Sequence, residues 1–489
     1  MNNLYRFSLL LICFCISSAT WASSAEVYFD QIKQDPQRLQ LFLKQMPKGG
    51  DLHTHLGGAA YAENLIEYAQ DENFCIEEDS FIVSIRANCL SRNKLHNIAL
   101  RSDLRNQLIN AWSVRDVILP APTHFFATFD KFALLVEANY PEILAEIANR
   151  AAENQVFYLE SLIMPDKYAA GFLGKKIKWN DNFKNMETQL VSLGINEQAN
   201  ASATQILVHK AAAEKRMQCG TKKAQPGCDV KIHFIYAVLR NQPPTEVFAQ
   251  LLAAFKTASR IPANVVGINV TQAEDGFYAS KDYKRHMEMI AFLKKRNPNV
   301  NITLHAGELT KKRTSPENLQ SRIQDAINIA HAKRIGHGVS ISEEHNADAL
   351  LKQMAKNNIL VEINLTSNKA VLGVEGKYHP LNLYLSYGVP VALATDNEGI
   401  LRTDMTQEYV RAVTAHQLSY VQLKMIARNS ITYSFLPGSS IWASSCAAMT
   451  LGADKPAKYC ADFLENSEKA QMQWKLEKAL RKFESSFLK

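Results

Sequence analysis

VNITLHAGELTKKRTSPENLQSRIQDAINIAHAKRIGHG, residues 300–338, reads as a strand, a helix and a second strand. Both ends are short, almost continuously apolar runs that stop at glycine and polar side chains, as parallel strands covered on both faces do. Between them, SRIQDAINIAHAK puts Ile323, Ala326, Ile327 and Ala330 on one helical face. The stretch is therefore one β/α/β unit, and its strand ends carry the polar groups His305, Glu308 and His337.

Working outward, the same pattern recurs. The β-rich runs are DLHTHL (51–56), VFYLESLIM (156–164), VKIHFIYAVL (230–239), NVVGINVT (264–271), VNITLHAGE (300–308), RIGHG (334–338), ILVEINLTSN (359–368) and VPVALATD (389–396). From the third onward the gaps hold helical periodicity. Eight such units predict an α/β fold, a (β/α)8 TIM barrel with its site at the C-terminal ends of the strands. About 100 residues separate the first two runs and about 65 the next two. Helical insertions are expected there, about 57–155 and 166–229, lying over the barrel mouth as a lid. Flanking helices are expected at about 26–45 and 465–486, and no further internal repeat or low-complexity tract is seen.

The first 22 residues resemble a secretory signal peptide: Arg6, an apolar run from Phe7 to Ile16, and small residues ending near Ala22. No later stretch approaches the length of a membrane span. Ile12 is too bulky for lipoprotein processing at Cys13, so no membrane anchor is expected in the mature chain. Residues 23–489 are read as a single metal-dependent barrel domain, secreted to a periplasm or to the exterior. Removal of the leader leaves six cysteines in three local pairs, and the economical disulfides are Cys75–Cys89, Cys219–Cys228 and Cys446–Cys460, other connectivities staying open. The first two would staple the insertions. None has CxxC spacing, which argues against a cysteine-ligated metal. The net charge of +7 comes from 55 basic and 48 acidic residues, with lysines scattered through stretches such as GKKIK and LKKRN. These are solvated helix faces, and no nucleic-acid partner is expected.

His53 and His55 lie two apart in the first strand and so project to one side. In a chain with 13 histidines an isolated HxH is weak evidence. The barrel strengthens it, because it would bring His53, His55, His305 and Asp396 to one mouth from three strand ends. Three imidazoles and one carboxylate suit a single Zn²⁺ ion, which makes hydroxide available near neutral pH. His337 is placed to take a proton from the water and Glu308 to give one to a substrate. Each has a blander reading: His337 as a strand-end filler, Asp396 as a helix cap, Glu308 as a turn residue. The set taken together favours a metal hydrolase.

MPKGGDLHTHLGGA, LHAGE, RIGHG, HPLNLYLSYGVPVALATDNEG and LKMIARNSITYSFLPG resemble the corresponding segments of the adenosine deaminase family of the amidohydrolase superfamily. The PKGG lead with a secretion signal is similar to its secreted, growth-factor-related branch. The resemblance implies that His53, His55, His305 and Asp396 hold one zinc ion, that His337 orients and deprotonates the water, and that Glu308 protonates the purine at N1. Hydroxide would then attack C6 of adenosine, a small-molecule purine nucleoside, to give inosine and ammonia. Strand four, VVGINVT, lacks the bridging lysine of two-metal relatives. THFFATFDKF (123–132) resembles a lid helix whose Phe125 and Phe129 cover the nucleoside, or it is an ordinary amphipathic helix with Phe facing the core.

Three positions depart from the family pattern. Gly57 replaces an acidic or amide residue near the ribose, Gln272 replaces a glycine whose amide meets the purine, and Asn397 replaces a second aspartate. An Asn397 amide can still donate to purine N7. Other adenine compounds, including adenine, a modified adenosine or AMP, are therefore alternative substrates, although no compact basic cluster stands at a strand end to grip a phosphate. The cytidine-deaminase signature and the HExxH, GxSxG and P-loop patterns are missing. A secreted binding or signalling factor on an inactive barrel is a reading of a different class, and the intact ligand set argues against it. An oligomer is possible.

Overall fold

The structure, a computed structural model, describes residues 24–69, 73–86, 89–98, 100–447 and 455–488. The expected leader, residues 1–22, lies outside them.

Eight parallel strands form the barrel wall: β1 (Gly49–His55), β2 (Val156–Ile163), β3 (Lys231–Leu239), β4 (Val265–Thr271), β5 (Asn301–Ala306), β6 (Arg334–His337), β7 (Leu360–Ile363) and β8 (Val391–Leu393). Their spatial order is their sequence order, each paired in parallel with the next. The ring closes just past the end of β8, where the His55 N–H donates to the Asp396 carbonyl at 2.7 Å and the Asp396 N–H donates to the His53 carbonyl at 2.8 Å. The last ladder bonds of the barrel are thus made by residues that the sequence marks as metal ligands.

Most strand residues are buried on both faces, which matches their apolar composition. The exceptions carry charge into the interior. The Arg334 guanidinium bonds Glu160 of β2 and Glu362 of β7, the latter at 2.7 Å, and lies 3.8 Å from the centre of the Phe435 ring. The Thr303 hydroxyl of β5 adds a 2.7 Å bond to Glu362. Four strands are stitched through one buried ion network, in which deletion of a partner costs about 3–5 kcal/mol.

The first insertion holds helices from Leu56 to Glu153 and a small antiparallel hairpin, Phe74–Ile76 with Val83–Ile85, tied by Cys75–Cys89. The second holds three helices between Ala169 and Arg216, closed by Cys219–Cys228. Cys446–Cys460 links the segment before the last helix, so all three expected pairs are formed. The expected flanking helix at 26–45 is two helices, Ser24–Ile32 and Pro36–Gln45, because Asp35 caps the second and Pro36 cannot continue the first. Phe42 of this pair packs against Phe483 of the C-terminal helix Glu468–Ser485 at 5.0 Å. The seventh run is also shorter than read: the chain leaves the sheet after Ile363 and turns through Leu365–Ser367 into a π-turn, Asn368–Leu372. Its polar residues serve the barrel mouth instead of the ladder.

Candidate metal centre and proton-transfer groups

The pleat of β1 brings the His53 and His55 Nε2 atoms within 3.3 Å, and His305 Nε2 from β5 lies 3.1 Å from the first and 3.2 Å from the second. Asp396 Oδ1 stands 3.1 Å from His55 Nε2 and 3.5 Å from His53 Nε2. All four ligand atoms fall within 4.8 Å of one another. His53 can lie there because Gly336 on β6 has no side chain; a Cβ would come 2.7 Å from its ring.

His53 Nδ1 is 2.7 Å from Glu362, whose carboxyl burial would raise but Arg334, His53 and Thr303 hold down at about 2, so Nδ1 carries the hydrogen. His305 Nδ1 is 3.0 Å from Asn269 Oδ1, an atom identified as oxygen because the His305 backbone N–H also donates to it. Burial would lower His53, but hydrogen bonds to Asp396 and Glu362 raise it to about 10, so without an ion it would hold a second hydrogen on Nε2; in the neutral form both histidines turn bare Nε2 lone pairs toward each other. Asp396 Oδ1 is buried among them without a hydrogen bond. Lone pairs so arranged repel unless a cation lies between them, and nitrogen-rich ligation with one carboxylate fits a borderline divalent ion. His53, His55, His305 and Asp396 are the residues that would hold it.

The two candidate proton-transfer groups sit beside this cluster. Burial raises the Glu308 carboxyl to about 8, with the Asp396 charge adding to the effect, so it is protonated at neutral pH. Its backbone N–H donates to Glu274 at 2.9 Å. The turn before it needs Gly307, at φ +73°, since a Cβ would meet Ile323 and Ser340 at 2.9 Å. His337 Nδ1 lies 3.7 Å from Glu308, and burial lowers that imidazole to about 3. His337, Asp396 and Gln272 all hold left-handed backbone, at φ 68°, 60° and 77°. Such strain at three strand ends marks backbone held for side-chain placement.

The three departing positions fall around this centre. Gln272 takes the conformation a glycine would, so the loop path is kept. Its side-chain oxygen turns away to accept the Asn241 N–H at 2.9 Å, while its carbonyl accepts from Arg240. Asn397 is buried against Gly58, where a Cβ would lie 2.2 Å from Asn397 Oδ1 and 2.9 Å from its Cβ. Gly57 is open by comparison: the nearest atom to a Cβ would be Val136 Cγ1, at 4.0 Å. The helix Pro122–Ala138 packs on Leu56–Ala59 and on the π-turn. Phe125 is buried there against Phe126 and Phe129, and Phe129 is half-buried. The core-facing reading of that helix therefore describes Phe125.

Sequence reasoning missed Glu362, Asn269, Glu274 and Arg240, which orient the ligands and the Glu308 turn. The signal was available for two of them, since Glu362 and Asn269 are polar residues inside runs otherwise built to be buried on both sides.

Residues 93–441 match the family model described as adenosine deaminase. The chain is similar to the adenosine deaminase of Aliivibrio fischeri, with 34% identity over 149 residues, 30% of this chain and 41% of that protein. It is also similar to the N6-methyl-AMP deaminase of Danio rerio, with 27% identity over 215 residues, 44% of this chain and 58% of that protein. The match thus spans less than two thirds of either relative. Among solved structures, adenine deaminase from Arthrobacter aurescens aligns with a TM-score of 0.52 at 17% identity, over 83% of this chain and 97% of that one, a likeness of fold.

Proposed function

The chain belongs to the adenosine deaminase family, and on that premise we propose that it is a secreted, zinc-dependent enzyme that hydrolyses adenosine and deoxyadenosine to the inosine nucleosides and ammonia. The observation that carries this reading is the convergence of three histidine Nε2 atoms and the Asp396 carboxylate beside the buried Glu308, whose carboxyl burial raises to about 8. When bound, the ion supplies a Lewis acid that makes hydroxide available near neutral pH. The chain supplies the rest. Glu308 hands its proton to N1 of the purine, which makes C6 electrophilic. His337 stands next to Glu308 and handles the attacking water. Asn397 offers an amide N–H to N7, and the lid helix over the mouth excludes bulk solvent. The leader motif and the three disulfides support export, and N-terminal sequencing of protein recovered outside the cytoplasm tests it.

A nucleotide substrate is the second reading. The N6-methyl-AMP deaminase relative favours it, as does the run Lys311–Lys312–Arg313 just after Glu308, a compact basic cluster that the sequence reading passed over. Lys311 pairs with Glu343 at 2.9 Å and Arg313 with Asp275 at 2.7 Å, while Lys312 makes no ion pair among the described residues. With two of three cations committed, the nucleoside reading is preferred. Release of the amine decides it: ammonia from adenosine, deoxyadenosine, adenine and AMP, and methylamine from N6-methyl-AMP. The highest kcat/KM is expected for the nucleosides, and a preference for either nucleotide would overturn that choice.

A further inference from the structure

The reaction uses His337, yet an isolated imidazole carries its hydrogen on either nitrogen, and the two forms behave oppositely toward a water: one accepts, the other donates. In this chain the choice is made by a string of groups that the reaction itself does not touch. It begins at a backbone N–H, which can only donate. The Leu381 N–H points at His379 Nδ1, at 3.2 Å, so that nitrogen is an acceptor and the hydrogen of the neutral His379 ring is on Nε2. His379 Nε2 is 2.9 Å from Asn368 Oδ1, which accepts that hydrogen. The other end of the same amide, Asn368 Nδ2, lies 2.9 Å from His337 Nδ1 and donates to it.

All three side chains are buried, His337 and Asn368 fully and His379 to 3% exposure, so no water competes for these bonds. Burial also lowers His379 to about 3, which keeps it neutral and preserves the direction of donation. Asn368 is fixed from both sides, its N–H donating to the Asn364 carbonyl and its carbonyl accepting from Val374, and it opens the π-turn that replaces the end of β7. Wide turns of this kind recur at functional sites. Asn364 Nδ2 lies 3.3 and 3.4 Å from the two His337 nitrogens and so favours neither. The Glu308 carboxyl, 3.7 Å from the same Nδ1, is farther away than Asn368 and is protonated.

We infer that Asn368 and His379 are positioning residues that fix His337 in the Nε2–H form, so that His337 meets the reacting oxygen as a hydrogen-bond donor and not as its base. This rests on the deaminase reading above and departs from the sequence-based expectation that His337 deprotonates the water. The role is that of an orienter which selects a tautomer, and misassigning one elsewhere costs about 10⁴ in rate.

The test is a long-range 1H–15N spectrum of the zinc-loaded, full mature chain labelled at histidine, with His337→Gln used to identify the signal. The wild type is expected to show Nδ1 bare and Nε2 protonated at His337. Asn368→Asp keeps the shape but replaces the donor with an acceptor. It is expected to move the hydrogen to Nδ1 and to lower kcat about 10²- to 10⁴-fold at unchanged zinc content. His379→Gln, whose amide can still donate to Asn368 Oδ1, is expected to retain the Nε2–H signature and most activity. A wild-type His337 protonated on Nδ1, or an Asn368→Asp variant with unchanged spectrum and rate, would overturn the inference. A wild type that carries the Nε2–H signature but deaminates no adenine compound would support the inference and remove the deaminase reading instead.

Discussion

Glu308 and Glu362 are both carboxyls buried near the same cluster, and their surroundings give them opposite states. Burial leaves Glu308 protonated to about pH 8, whereas Arg334, at 2.7 Å from Glu362, keeps the second one ionised. They should therefore fail differently. Glu308→Gln preserves shape but removes the transferable proton, so ammonia release is expected to fall about 10²- to 10⁴-fold with zinc content unchanged. Glu362→Gln weakens the bond that holds His53 Nδ1, and the expected result is a zinc affinity lower by about 10- to 100-fold, read by chelator competition. The six candidate residues that the structure brings together were legible in the sequence, because histidines and carboxylates at barrel strand ends have few structural reasons to be there. Their partners were not. A glutamate in ILVEI or an asparagine in VVGINVT shows that something polar is buried, but only the closed ring shows which ligand each one faces.

At the scale of elements, the paired glycines of LHTHLGG have different jobs. Gly58 carries the close approach of Asn397, and Gly399 beyond it packs so tightly on Ala60 that a Cβ would fall 1.8 Å from its carbonyl oxygen. Gly57 has room. Gly58→Ala must push Asn397 aside and is expected to lower kcat/KM about 10²-fold, while Gly57→Ala stays near wild type; steady-state kinetics on adenosine compares them. A second element-level prediction concerns Glu408, which reaches from the helix Met405–His416 to accept the Thr366 N–H at 3.2 Å and the Thr403 hydroxyl at 3.0 Å. Burial raises it from its ordinary range to about 7. The folded state thus keeps a proton that the unfolded chain gives up above about pH 4.5, so stability falls as pH rises from there to about 7 and then levels off. Glu408→Gln should lose that dependence, gaining up to ~3 kcal/mol relative to wild type between pH 5 and 7.5 in thermal or urea unfolding. The strands and most helices could be read from periodicity. The end of the seventh run could not, because LTSN is as compatible with a strand as with the π-turn it forms, and the choice is made by Glu408 and the Asn364 carbonyl, which lie outside that pattern.

For the molecule as a whole, topology and chemistry meet at one place. The ring of strands is closed by the backbone of His53, His55 and Asp396, and the same residues turn their side chains to the candidate metal centre, so closing the barrel brings together three of its four candidate ligands. The insertions, stapled by their own disulfides, are built outward from that mouth. Barrel, mouth and local disulfide pairing were all readable, since each depends on order along the chain. The substrate was less so, because Gly57, Gln272 and Asn397, the positions that depart from the family pattern, lie around the candidate centre without disturbing the scaffold. The most direct check of the central claim is the metal content of the purified mature chain, measured together with ammonia release from adenosine. One zinc per chain with adenosine turnover that is lost when His305 is replaced by alanine is the expected result; a folded chain that binds no divalent ion and leaves every adenine compound unchanged would contradict it.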